Sequence, residues 1–288
     1  MFGYILVPTT GRETDVLVFR TAVGMARATG GHVVFLHVRP DARRVVASVA
    51  AGDLGGTAAL GDLLQSLEQA AAATEARARE QVLAFCRYEK LALADSPLAA
   101  RPSATWRLLT GDEARVIVAE SRAADVTVLD RRRANGTADL PMLQTVLLNS
   151  GRPILITPDR PPPHIGHRVA IAWKDTPEAA RAVAFALPSL AAAERVIIVS
   201  VEEDARTTHE ACERLRQALI WHNAATMVRH VKPSGCDPGE ALLTAVGAQN
   251  ADLLVMGGYG HSRLREVVFG GLTRHVLQAA DVPVLMAH

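Results

Sequence analysis

Short apolar runs alternate along this chain with longer stretches whose apolar positions return every three or four residues. "YILVP" leads into such a stretch ending at "ATGG", and the apolar run "HVVFLHV" follows. Further on, "RVAIAW" leads into "TPEAARAVAFALPSL" and then "RVIIVSV". The runs are β-branched and apolar on both faces, the pattern of strands buried within a parallel sheet. Each half therefore reads as strand, helix, strand.

The correspondence continues. "TGDEARVIVAESRAADVTVLD" matches "GCDPGEALLTAVGAQNADLLVMG", in each case a capped helix followed by a strand. Asp237, Pro238 and Glu240 fall at N-cap, N1 and N3, a strong helix start. Both halves close on a helix and a strand, "GRPILITP" and "DVPVLMAH". This alternation predicts an α/β chain of two tandem doubly wound parallel-sheet domains, Rossmann-like in kind. The expected units are residues 1–157 and 167–288, joined by the proline-rich "PDRPPPHIG" at 158–166.

The two copies differ in two places. Val38 to Asp112 spans 74 residues against 36 from Val201 to Asp237, so the first copy carries an insertion within about residues 40–100. That insertion holds a glycine-rich piece and a long alanine-rich stretch, "LLQSLEQAAAATEARAREQVLAF", with helical apolar spacing. The second difference follows the fourth strand. Leu129 to Met142 is 13 residues, Met256 to Leu272 is 16, and the shorter copy has lost nearly all its glycines there.

Composition narrows the function. With 288 residues, 49% of them hydrophobic, the chain can bury two ordinary cores. A net charge of +1 gives no global field toward nucleic acid or an acidic membrane surface. Three scattered cysteines without a C-x-x-C pair fit a reducing cytoplasm and no structural zinc. No signal-peptide pattern and no apolar stretch of membrane-spanning length is read, so a soluble cytoplasmic protein is expected.

The chemistry concentrates in "VMGGYGHSRLREVVFGGLTR". "GGYG" falls at the carboxyl end of the second unit's fourth strand, the edge where open α/β sheets bind ligands. Glycines there admit positive φ and let backbone amides approach an anion. "GGLTRHVL" then opens a helix, whose free N–H groups and positive dipole end suit phosphate. Two such reversals nine residues apart can grip a polyphosphate from two sides. A Walker-type loop is absent, and a dinucleotide fingerprint fails at Arg263, where its third glycine would stand.

The same stretch resembles the universal stress protein family, whose nucleotide-binding members carry Gly, two residues, Gly, nine residues, Gly, then Ser or Thr. Gly257, Gly260 and Gly270 fall on those three glycines. Openings such as "ILVP" and "VAIAW" and the closure "PVLM" also resemble that family, so the likeness covers both halves. It implies a fold related to the adenine nucleotide alpha hydrolases, a stress-survival role, and binding of ATP or AMP. It also implies closing strands that pair across a dimer, which a tandem chain forms within itself; homodimerisation of whole chains is left open.

The sequence departs from the family in two respects. Gly271 stands where Ser or Thr is usual, so a hydroxyl is lost while the amide stays. The aspartate after the first strand, near adenine and ribose in family members, corresponds to Thr10 in one copy and Lys174 in the other. By the same analogy Val201 lines the adenine pocket. The expected nucleotide contacts are thus Lys174, Val201, Gly257, Gly260, His261, Arg263, Gly270, Gly271 and Leu272, in the second unit alone.

Other candidates are ordinary. "DRRR" at 130–133 reads as a solvated or salt-bridged turn, "HEACE" lacks the second histidine of a zinc protease, and no metal-ligand spacing is found. Trp106, Trp173 and Trp221 read as packing residues. The competing function is a stress-linked interaction protein without nucleotide, docking through the tandem dimer and the insertion. An ATP-hydrolysing enzyme has the least support, because no carboxylate or base is placed beside the glycine turn.

Overall fold

The computed structural model describes the chain except residues 1, 52–56, 97, 99–100, 132–139, 202–204, 234, 236 and 259–269, and the side chains of 48–51, 57–59 and 205–208. The first unit begins β1 (Tyr4–Thr9), α1 (Asp15–Thr29), β2 (His32–Arg39). The insertion follows as α2 (Ala42–Ala51), α3 (Thr57–Tyr88) and the short β3 (Ala92–Leu93). The unit ends with β4 (Ser103–Thr110), α4 (Glu113–Ser121), β5 (Val126–Asp130), α5 (Leu140–Asn149) and β6 (Ile154–Thr157). The second unit runs β7 (Arg168–Ala172), α6 (Pro177–Ala192), β8 (Arg195–Val201), α7 (Ala205–Leu219) and β9 (Thr226–Val231). It closes with α8 (Pro238–Ala248), β10 (Leu253–Gly257), α9 (Gly271–Ala279) and β11 (Val284–Ala287).

Local chemistry sets the element ends. Thr176 and Asp237 cap α6 and α8, their side chains accepting from Ala179 N–H and Gly239 N–H, with proline in the first turn of each. Asp112 caps α4 in the same way. Helix α1 stops at Gly30, whose φ of 68° is left-handed. One aspartate in each unit ties the fourth-strand region to the first strand. Asp125 accepts from the amides of Gly3 and Tyr4, and Asp252 from those of Gly166, His167 and Arg168.

All strands join one 11-stranded sheet in the order β3-β4-β2-β1-β5-β6-β11-β10-β7-β8-β9. Within each unit the pairing is parallel and the strand order reverses between the first strand and its β5 or β10 neighbour. The units meet where β6 and β11 pair antiparallel, Leu155 opposite Leu285. The expected joining of closing strands within one chain is therefore realised. Helices α1, α3, α6 and α7 cover one face and α4, α5, α8 and α9 the other, each layer over a core running through both units.

The segment between β6 and β7 is docked rather than loose. Ile165 is buried against Gly24, and Asp159 pairs with Arg131 at 2.6 Å. Arg131 also donates to the carbonyl of Ala280, so the first residue of "RRR" bridges the units; Arg132 and Arg133 lie outside the described residues. The latter half of α3 covers its own unit. Phe85 packs edge-on to Phe19 and Phe35, with Ala78 and Val82 fully buried. Trp221 departs from expectation: it follows α7 and is 87% exposed.

Candidate functional site

The topology brings the predicted second-unit residues to one sheet edge. Lys174 follows β7 and is exposed, while Val201 ends β8, half-buried against the core. Gly257 ends β10, and Gly270, Gly271 and Leu272 start α9. Leu272 turns its side chain to the core, leaving only its backbone for a ligand. Gly260, His261 and Arg263 lie outside the described residues.

The glycines divide into two kinds. A Cβ on Gly257 would stand 2.5 Å from the amide nitrogen of Ala179, so glycine is needed there for α6 to approach β10. Gly258 is similarly confined by Leu147 of the first unit and by Met286. The first unit keeps the fold without these glycines, but packing against α6 and the neighbouring unit requires this pair in the second. Asp130 stands opposite Thr157 as Gly257 stands opposite Ala287, so the first unit does without the close approach. Gly270 and Gly271, in contrast, are exposed, no described residue comes within 4 Å of an added Cβ, and neither has a positive φ. Neither packing against the described residues nor a positive φ requires them. At the start of α9 Gly270 supplies no capping side chain, and the first N–H groups have no partner inside the helix.

Sequence reasoning treated Trp173 only as a packing residue. Its ring does pack on the core, but Nε1 is buried and has no hydrogen-bond partner among the described residues. A buried indole N–H without an acceptor is uncommon, and this one lies next to Lys174 at the same sheet edge.

The first unit carries its own feature at the equivalent edge, a cavity of about 670 Å³ over the ends of β1 and β2 and the start of α4, walled by α2 and α3. Thr10, the counterpart of the family aspartate, lines it, but its hydroxyl and amide both donate to Asp15, at 2.8 and 2.7 Å. Gly11 N–H adds a third bond to that carboxylate. Burial raises the carboxyl of Asp15 above its ordinary value, against the bonds from Thr10 and Gly11 that pull it down. His37, also in the lining, was not singled out. A histidine inside the otherwise apolar "HVVFLHV" was the available signal. Among the described residues no group of three or more His, Cys, Asp or Glu could hold a metal ion, and no helix is long and apolar enough to cross a membrane.

Comparison with known proteins bears on these two edges. The model of the universal stress protein family matches residues 1–157 and again 167–288. A universal stress protein from Archaeoglobus fulgidus DSM 4304 has the same fold over nearly the whole chain. It is 18% identical with a TM-score of 0.70, covering 99% of this chain and 97% of that one. A functionally unknown protein from Pseudomonas aeruginosa PAO1 is 16% identical with a TM-score of 0.60, covering 99% and 92%. A putative universal stress protein from Pseudomonas aeruginosa UCBPP-PA14 is 17% identical with a TM-score of 0.58, covering 99% and 93%. No curated protein matches the sequence. With the family pattern found twice and one sheet built from both copies, the chain belongs to the universal stress protein family as a tandem member.

Proposed function

We propose that this tandem universal stress protein binds one adenine nucleotide, ATP or AMP, in its second unit, as part of a stress-response role. The observation that carries the reading is the glycine pair 270–271, exposed at the start of α9 and required neither by packing against the described residues nor by a positive φ. A helix start without side chains admits phosphate oxygens to its N–H groups, and the helix dipole favours their charge. The phosphates lie between this start and residues 257–260, with His261 and Arg263 as further donors. Lys174 and Val201 mark the base and ribose end, where the Trp173 indole N–H offers a donor to a ring nitrogen or a hydroxyl. The proposed role is binding; no step of hydrolysis is assigned. The first unit lacks the glycine-rich counterpart after β5, and Arg131 there is engaged with Asp159 and Ala280.

Titration calorimetry of the full chain with AMP and with ATP tests this reading. One nucleotide per chain is expected, and Gly270→Val weakens it at least about ten-fold by blocking the approach to the α9 amides. Two equal sites, or unchanged affinity in Gly270→Val, overturns the assignment. Absence of any binding returns the protein to the interaction role.

A further inference from the structure

Helix α9 has little of its own to hold it. Its nine residues are too few for a helix stable by itself, and Gly270 gives its start no capping side chain. Its order therefore comes from contacts. Within its own unit it is held by Val276 and Leu277, both fully buried, and by His275, which lies 3.4 Å from the Asp237 carboxylate. Its far end depends on the other unit. Ala280 closes the helix and is 2% exposed, and its carbonyl is one that a helix end leaves without an internal partner. Arg131 Nη1 donates to it at 2.9 Å.

Arg131 follows β5, at the position that Gly258 holds after β10. Each of these positions touches the closing helix of the other unit, Gly258 beside Leu147 of α5 and Arg131 at the end of α9. Of the two, only Arg131 brings a charge. It is 5% exposed, a rare burial for an arginine. Asp159 orients its guanidinium, accepting from Nε at 3.3 Å and pairing with Nη2 at 2.6 Å. That fork occupies both carboxylate oxygens and leaves Nη1 for Ala280. A cation at the end of α9 also complements the helix dipole, whose positive end lies at residues 270–271. The narrow space that Arg131 shares with Thr157, Val276, Leu277 and Val282 has no room for a water molecule, so the guanidinium serves this helix end in place of solvent.

We propose that Arg131 is a positioning residue for the nucleotide site of the second unit. From the first unit it fixes the end of α9 and thereby holds the amides of residues 270–272 in place for phosphate. The inference rests on the reading of α9 as the phosphate-binding helix. Arg131 itself touches no ligand. A helix of this length is only about 14 Å from end to end, so release at Ala280 loosens its start as well. Amides that must be ordered again on binding weaken the affinity. The second unit's site is then incomplete without the first unit, which lacks the glycines after β5 but supplies the brace.

Calorimetry of the full chain with AMP, paired with amide hydrogen exchange of the free chain, tests this. Arg131→Met keeps the stem and loses the bonds. At a temperature where urea unfolding shows it folded, it should weaken AMP about five-fold or more. Arg131→Lys keeps the charge without the fork and should recover part of that loss. Asp159→Asn should weaken AMP in the wild-type background and add nothing to Arg131→Met, because it acts through the guanidinium. In the free chain, Arg131→Met should speed exchange at the α9 amides about five-fold more than at those of β7 and β10. Unchanged AMP affinity in folded Arg131→Met overturns the proposal, as does exchange that speeds equally throughout the second unit. Should Arg131→Met not fold, Arg131→Lys decides, and wild-type affinity and exchange in it overturn the proposal. Wild type that binds neither AMP nor ATP defeats the second-unit site instead, and the exchange result then decides the brace by itself.

Discussion

Asp15 shows how one carboxylate can organise a loop at an energetic disadvantage to itself. It is 4% exposed and accepts from two amides and a hydroxyl at the β1–α1 junction. Desolvation nevertheless dominates and raises its pKa above the ordinary 3.8. Between that value and the raised native one, the folded chain retains a proton that the unfolded chain has released. Stability contributed by the group therefore falls as pH rises through this interval. Asp15→Asn keeps acceptors for the amides and does not titrate. Urea unfolding should place it within about 1 kcal/mol of wild type at pH 7, whereas Asp15→Ala loses about 1–3 kcal/mol by leaving those donors unmet. The stability of wild type relative to Asp15→Asn should decline as pH rises from 3.8; a relative gain instead would show that the charge itself holds the loop. At this scale the sequence was only partly legible. Thr10 could be aligned to the family aspartate, but nothing local announces that its hydroxyl is turned to Asp15, five residues on. His37 was visible only as an oddity in an apolar run, because a side chain's missing partner is a fact of three dimensions.

Helix starts carry the contrast between glycines kept for packing and glycines kept for access. The resemblance puts Gly257 and Gly270 in one motif, yet Gly257 lies under the first turn of α6 while Gly270 and Gly271 meet no other described residue. Gly257→Ala must therefore displace backbone and should cost about 1–3 kcal/mol. Gly271→Ala adds a methyl where there is room and restricts the unfolded chain, and should gain about 0.4–1 kcal/mol. Thermal or urea unfolding in the absence of nucleotide separates the two. Equal effects of both substitutions would erase the distinction on which the access argument stands. The elements themselves were easier to read than their mutual approach. Strand runs, the Asp237 cap and the length excess of the insertion follow from local pattern. That α3 lies across the first unit's own carboxyl edge depends on Phe85 meeting Phe19 and Phe35, a contact no periodicity specifies.

The two copies behave as one body because the sheet does not stop between them. At the seam Ile156 faces Val284, Leu155 faces Leu285 and Ile154 faces Met286, all buried. Leu155 and Leu285 belong to the core on one face, and their four neighbours to the core on the other. Arg131 reaching Ala280, and Leu147 lying beside Gly258, add contacts across the same boundary. Unfolding one unit would expose these surfaces on the other, so the halves should lose structure together. Trp106 reports on the first unit and Trp173 on the second, and replacing the exposed Trp221 by Phe removes the remaining indole. In that background, variants retaining only Trp106 or only Trp173 should give coincident urea transitions. Leu155→Ala should shift both by the same amount, about 2–5 kcal/mol, although only one unit is altered. Separate transitions, with the second unit's midpoint untouched by the Leu155 substitution, would mean that the seam joins two independent domains. The start of α9 and the cavity under α3 would then need no common scaffold.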